Sequence, residues 1–154
     1  MDQLLINVLN GVSAGLLLFM LSSGMTLIFS MMGVLNFAHA SFYMLGAYFA
    51  FQVSRHLGFW PALFLAPLLV GALGALTERW GLRTVHKYGH VAELLFTFGL
   101  FYLIEEVVHL VWGRAPVDYR IPASLDASAF TIFSTSYPAY RVFMMAVSVG
   151  MLLT

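Results

Sequence analysis

Residues 4–29 contain no charged side chain. A membrane-spanning helix needs roughly 20 consecutive apolar residues, because the hydrocarbon core is about 30 Å thick and a helix rises about 1.5 Å per residue. The composition agrees with this first run, since 61% of the 154 residues are hydrophobic and 9% are charged, against about 45–50% and about 25% in soluble domains. The sequence therefore predicts an all-α integral membrane protein.

The chain contains five apolar segments. The predicted spans cover residues 4–29, 37–53, 60–77, 91–112 and 141–154, and the fourth is interrupted by Glu93. Residues 31–36 are predicted to break the helix after the first span. The second span is short for a full crossing, which favours a tilted helix or one that starts at membrane depth. The fifth covers only about 21 Å of the core. We therefore predict a polytopic bundle of four spans plus the start of a fifth, truncated, forming the N-terminal part of one transmembrane domain.

Two polar segments connect these spans. Residues 78–90 hold Arg79, Arg83 and Lys87 and are predicted to form a short basic loop. Residues 113–139 form a longer loop, in which Phe130-Thr-Ile-Phe followed by Ser-Thr-Ser and Tyr137 predicts a small β-hairpin on the membrane surface. Three basic residues lie on one side of the membrane and four on the other, so charge does not settle the orientation.

Several function classes have no residues to support them. Seven basic and seven acidic side chains cancel, which leaves no basic surface for nucleic acid. The absence of cysteine removes disulfides, thiolate metal sites and cysteine nucleophiles. No serine triad, phosphate-binding loop or dinucleotide fingerprint is present. We expect neither an enzyme nor a chain that binds a metal or cofactor itself.

A small polar group interrupts the apolar sequence near residue 40. Asn36, His39 and Ser41 lie between Gly33 and Gly46. An unsatisfied polar group in hydrocarbon costs several kcal/mol, so these side chains need protein partners or a water-filled cavity. They could line a substrate pathway or its gate, with the glycines letting the backbone bend, or they could cap the second helix at the aqueous boundary.

A second polar cluster lies within the fourth span. Glu105, Glu106 and His109 are ionisable, and such residues inside a membrane suggest function by default. Glu105 and His109 are four residues apart and are expected to pair on one helix face. Glu106 and His109 match half of a di-iron motif, but no second copy is present, so we reject a metal site. Glu105, Glu106 and His109 could relay protons, or they could simply face neighbouring helices or the membrane interface.

The residues around the first polar group carry a family resemblance. The stretch Gly24-Met-Thr-Leu-Ile-Phe-Ser-Met-Met-Gly-Val-Leu-Asn-Phe-Ala-His-Ala-Ser-Phe-Tyr-Met-Leu-Gly-Ala-Tyr48 resembles the N-terminal signature of permease subunits of branched-chain amino-acid ABC importers. Thr77-Glu-Arg79 and Thr97-Phe-Gly99 resemble two further segments of that family. Ser30 and Ala40 stand where the family usually has glycine, and such permeases are about twice this length.

The resemblance implies a function and a set of partners. It suggests a permease in a bacterial inner membrane that pairs with a homologous permease, with two ATPase subunits that hold ATP and Mg, and with an extracytoplasmic substrate-binding protein. It places the N-terminus outside, residues 78–90 in the cytoplasm and the loop 113–139 toward the binding protein, where Arg114 and Arg120 could make contacts. The alternatives are an ion- or proton-coupled carrier and a non-transporting membrane anchor. The sequence does not choose among branched-chain amino acids, other amino acids, urea and small amides.

Overall fold

The computed structural model describes residues 2–33, 35–119, 121–122, 124–132 and 135–153, and these are mainly helical. In chain order the elements are α1 (Asp2–Met32), α2 (His39–Leu57), α3 (Phe59–Thr77), a π-helical segment (Glu78–Leu82), α4 (Arg83–His86), α5 (His90–Trp112), β1 (Ser128–Ile132), β2 (Thr135–Pro138) and α6 (Ala139–Leu152). The contacts divide the chain into one unit of residues 25–119 and another of residues 1–24 with 120–154.

Helix α1 ends where the sequence predicts a break. Gly33 has a positive φ of 66°, a conformation that glycine adopts without steric cost. Its backbone N–H donates to the carbonyl of Phe29 at 2.8 Å, which closes the last turn of the helix. A left-handed glycine just after the last helical residue is a common way to end a helix. The predicted break after the first span is therefore confirmed.

Helices α2 and α3 form a helical hairpin with a short connection. The two helices meet at Gly58, which has a φ of 87° and donates its N–H to the Ser54 carbonyl at 3.0 Å. The helices therefore run antiparallel. A Cβ built on Gly46 would lie 3.6 Å from Cγ2 of Val70, so the helices approach closely at that level. Hence the start of α2 lies beside the end of α3.

Residues 78–86 are helical, which corrects the predicted loop. The chain continues from α3 through the π-helical segment into α4 without a positive φ, and the turn comes only at Gly89, whose φ is 92°. No proline interrupts this stretch. Gly81 lies under the ring of Phe96, where an added Cβ would clash. The basic residues therefore extend a helix and do not form an irregular connection.

Three helices in the described part of the chain are long and apolar enough to cross a membrane. They are Leu4–Met31, Phe59–His86 and His90–Trp112. Helix α6 is apolar but shorter, with 14 residues. The predicted spans at 37–53 and 141–154 correspond to α2 and α6, and their crossing of the bilayer remains a prediction.

The apolar core of the unit 25–119 lies between α2 and α5. Leu45, Ile104 and Val108 are buried there. Tyr48 and Trp112 pack beside them, with ring centroids 5.1 Å apart. Large side chains on both helices fill this contact.

The other unit contains the β-hairpin and α6. Strands β1 and β2 pair antiparallel, with Ile132 opposite Thr135, so the predicted hairpin is confirmed, while its place on the membrane surface remains a prediction. Tyr137 is buried, and its hydroxyl donates to the Leu9 carbonyl at 3.5 Å. The Arg141 guanidinium donates to the side-chain oxygen of Asn10. These bonds join the hairpin and α6 to the first half of α1.

Candidate functional site

A cavity of about 760 Å³ lies beside the α2–α3 hairpin, within the unit of residues 25–119. Its wall is mostly apolar, and small residues dominate the parts contributed by α2 and α3. The lining residues are Ile28, Asn36, His39, Phe42, Tyr43, Gly46, Ala47, Ala50, Ala62, Leu63, Ala66, Pro67, Val70, Gly71, Gly74, Thr77, Glu78 and Leu82. Pockets for small molecules usually have volumes of about 300–1,000 Å³. The volume therefore suits a small organic molecule.

The small residues explain why this space exists. A Cβ built on Gly71 or Gly74 would meet no other atom within 4 Å, so neither glycine is needed for close packing in this unit. Gly46, by contrast, faces Val70 at contact distance. The hairpin is thus closed at the level of Gly46 and open beside the two glycines of α3. Larger side chains at these two positions would occupy the cavity without displacing backbone.

The polar groups of the cavity lie at one end. Asn36 and His39 lie at the start of α2, and Thr77 and Glu78 lie at the end of α3. Because the two helices are antiparallel, these ends are neighbours. The cavity therefore has a polar mouth formed by these four residues and an apolar remainder. Such a surface can accept a molecule with one polar end and one aliphatic end.

Local hydrogen bonds already occupy part of the polar mouth. The side-chain oxygen of Asn36 accepts from the Ala38 N–H at 3.0 Å, and the Thr77 hydroxyl donates to the Leu73 carbonyl at 2.9 Å. A carboxylate oxygen of Glu78 accepts from Nε of Arg83 at 2.6 Å. Asn36 thus stabilises the turn before α2 and lines the cavity as well, so the two interpretations of this residue are compatible.

The structure brings together some of the predicted pathway residues and separates others. Asn36, His39 and Gly46 line the cavity. Ser41 is fully buried on another face of α2, and its hydroxyl is 3.4 Å from the Phe101 carbonyl of α5. Gly33 ends α1 and is not among the lining residues. A pathway or gate role for these residues remains a prediction, and the geometry favours the three that line the cavity.

The second predicted cluster pairs differently from the expectation. Oε1 of Glu106 lies 3.8 Å from Nδ1 of His109, so the expected pairing of Glu105 with His109 is wrong. The same oxygen lies 3.8 Å from a guanidinium nitrogen of Arg114. The reason is that residues three apart on a helix are neighbours as well as residues four apart. Arg120, the other predicted contact for a binding protein, lies outside the described residues.

A third cluster was missed by the sequence analysis. Glu93, in the first turn of α5, is fully buried, and its two carboxylate oxygens are hydrogen-bonded to Nδ1 of His86 and, at 3.1 Å, Nδ1 of His90. Both imidazoles are largely exposed, with 67% and 77% of their side-chain surface accessible. A carboxylate is also favoured at a helix N-terminus by the backbone dipoles. The spacing His86-x-x-x-His90-x-x-Glu93 around a helix start was the available signal.

Comparison with known proteins assigns the family. The sequence matches the family described as "Branched-chain amino acid transport system / permease component" over residues 7–154. The chain belongs to this permease family, which confirms the resemblance drawn from residues 24–48. Its helices and its relatives mark it as a membrane protein.

Individual relatives are also described as branched-chain amino acid permeases. The chain is 27% identical over 150 residues to the high-affinity branched-chain amino acid transport system permease protein LivH of Escherichia coli K12, and 26% identical over 152 residues to LivH of Salmonella typhimurium. Each match covers 90% of this chain and 47% of the relative, so the chain spans about half the length of these curated relatives. No solved structure matches.

Proposed function

We propose that this chain forms part of the permease subunit of an ATP-driven importer for branched-chain or related amino acids. In this proposal the cavity beside α2 and α3 is a section of the translocation pathway. The observation that carries it is the cavity itself, which has a polar mouth and an apolar wall within a chain of the branched-chain amino acid permease family. An aliphatic amino acid has the same division between a polar end and an apolar end.

Such a pathway must bind the amino acid without reacting with it. The aliphatic side chain would lie against the alanines and glycines of α2 and α3, and the ammonium and carboxylate groups would face the polar mouth. Glu78 offers a carboxylate to an ammonium group, and Asn36 offers an amide that donates and accepts. No bond is made or broken by the permease. ATP binding elsewhere would shift the balance between two conformations that open to opposite sides.

The partners in this proposal follow from the family. A homologous permease would complete the pathway, two ATPase subunits would hold ATP and Mg, and a substrate-binding protein would deliver the amino acid in a bacterial inner membrane. Arg114 is 78% exposed and lies 3.8 Å from Glu106, so its guanidinium can also reach an acidic group of the binding protein. Exposed ion pairs are worth about 1 kcal/mol or less, so such a contact would set orientation more than affinity.

The test places a large side chain in the cavity. In the intact permease with its partner subunits, Gly74→Leu should reduce the initial rate of radiolabelled leucine uptake by about tenfold or more, because the side chain would occupy the path. Ala72→Leu is the matched control, because Ala72 is an exposed residue of the same helix that does not line the cavity. Both variants are compared at equal amounts of membrane protein.

Two results would contradict the proposal. Equal uptake by Gly74→Leu and Ala72→Leu would show that the cavity is not on the path. Uptake that persists when the ATPase subunits are inactivated, and that collapses with the proton gradient, would support the proton-coupled carrier instead.

A further inference from the structure

A helical extension of α3 continues beyond the length that a membrane core requires. Helix α3 has 19 residues and covers about 28 Å, close to the roughly 30 Å of the hydrocarbon core. The helix then continues, so that the whole run Phe59–His86 has 28 residues. The polar headgroup layer on each side of the core is about 5–7 Å thick. In a bilayer the first residues after Thr77 therefore cross the headgroup layer, and the later residues of the extension lie at its aqueous surface.

This extension presents a basic and aromatic surface. Arg79, Arg83 and Lys87 follow one another at intervals of four residues, and all three are exposed. Trp80 directly follows Arg79 and Tyr88 directly follows Lys87, and these two aromatic side chains are 69% and 70% exposed. We call these five residues the basic face. Residues four apart lie on one side of a helix, so the three cations form a row.

Most of the positive charge of this row of cations is not neutralised by a carboxylate of the same segment. Within residues 78–90 the acidic residue is Glu78, which bonds Nε of Arg83 at 2.6 Å and leaves the terminal nitrogens of that guanidinium for other acceptors. The ammonium group of Lys87 lies 5.0 Å from the ring centroid of Tyr88. Three cations against one carboxylate leave a net positive surface.

The opposite side of the extension is held against α5. Leu82 is buried, and Gly81 lies under the ring of Phe96 at a distance that admits no further side chain. The carboxylate of Glu93 is hydrogen-bonded to His86, at the end of α4. These contacts fix the extension on one side, so the basic face points away from α5 in a defined orientation.

We propose that the basic face binds the phosphate headgroups of anionic phospholipids. Arginine offers paired N–H groups that match phosphate oxygens, and lysine adds a point charge. Tryptophan and tyrosine favour the same interfacial depth because their rings are apolar and their N–H or O–H groups are polar. The proposal depends on membrane insertion and does not depend on the transported substrate.

Quenching of Trp80 fluorescence tests this proposal. The intact protein carrying Trp60→Phe and Trp112→Phe is reconstituted in vesicles in which either phosphatidylglycerol or phosphatidylcholine is brominated at the same mole fraction. Since each cation near an anionic surface contributes about 1 kcal/mol, we expect brominated phosphatidylglycerol to reach Trp80 with about fivefold or greater preference. The preference should fall when sodium chloride is raised, because salt screens surface charges.

Charge variants identify the residues responsible. Arg79→Gln, Arg83→Gln and Lys87→Gln together should abolish the preference for phosphatidylglycerol. Arg55→Gln, which removes an exposed arginine at the end of α2, should retain it. Added inorganic phosphate should not compete, which separates a lipid headgroup from a site for the free anion.

Several outcomes would overturn the proposal. Equal quenching by the two brominated lipids in the parent protein would show that no anionic lipid is selected, and this measurement does not depend on the variants folding. The same preference in the triple variant would assign lipid selection to other residues. Complete competition by inorganic phosphate would convert the surface into a site for a soluble anion.

Discussion

Helix α2 contacts its two neighbours in opposite ways. Toward α5 it presents Leu45 and Tyr48, which pack against Ile104, Val108 and Trp112. Toward α3 it presents glycine and alanine, and the facing residues of α3 are also small, so a cavity of about 760 Å³ remains. One helix therefore has a tight face and an open face.

The difference shows how the size of the side chains, rather than their polarity, distinguishes the two contact surfaces of α2 in an apolar chain. In lipid, apolar side chains gain little by leaving their surroundings for a protein contact, so close packing supplies much of the helix association. The tight face provides that packing. The open face gives up packing and gains space, and it is the face that carries Asn36 and His39 at its end.

The largest effect is expected when one leucine is added to each face. Ser41 on the tight face is 1% exposed, so Ser41→Leu should lower the free energy of unfolding by about 3 kcal/mol through overpacking. Gly71→Leu on the open side meets no atom within 4 Å of its Cβ and should change stability by about 1 kcal/mol or less. Thermal unfolding of the protein in detergent, followed by tryptophan fluorescence, measures both. Equal losses would mean that the open side is closed in solution.

A smaller effect is expected when a leucine is shortened on each face. Leu45 is 6% exposed on the tight face, and Leu45→Ala should cost about 2 kcal/mol because a cavity replaces packed atoms. Leu63 lines the existing cavity and is partly exposed, so Leu63→Ala should cost about 1 kcal/mol or less. Denaturant titration of the two variants side by side gives the difference. A greater loss for Leu63→Ala would reverse the comparison.

The smallest effect is expected from adding a single methyl group to the open face. Glycine in a helix interior is less favourable than alanine by about 0.5–1 kcal/mol. Gly71→Ala should therefore raise stability by about that amount. Gly46→Ala should raise it slightly more, because its Cβ would lie 3.6 Å from Val70, an ordinary van der Waals contact. Melting temperatures of the two variants test this, and a fall for Gly46→Ala would indicate that Val70 cannot accommodate the added methyl group.

The sequence predicts the helices of this protein closely because their ends are marked by local chemistry. The spans predicted at 60–77 and 91–112 appear as Phe59–Thr77 and His90–Trp112. Glycine or a change from apolar to polar residues marks these ends. The basic segment after Thr77 was the exception, since its polar composition predicted a loop and the structure continues the helix. Polarity shows where a helix leaves the hydrocarbon, and it does not show where the helix stops.

The candidate site was predictable in part. Asn36 and His39 stand out because they are polar in an apolar stretch, and both line the cavity. Thr77 and Glu78 were not singled out as pathway residues, because they lie about 40 positions away and approach only through the antiparallel hairpin. Glu93 was passed over because its importance depends on two imidazoles that fold back over it.

The sequence by itself determined that this is a helical membrane protein of the branched-chain amino acid permease family, since long apolar runs and a specific motif depend only on the order of residues. Tertiary structure decided which face of α2 is tight and which is open, and that Ser41 points to α5. The physical reason is that apolar residues all satisfy a bilayer, so hydrophobicity does not select their neighbours. Only the sizes and shapes of side chains brought together in three dimensions do so.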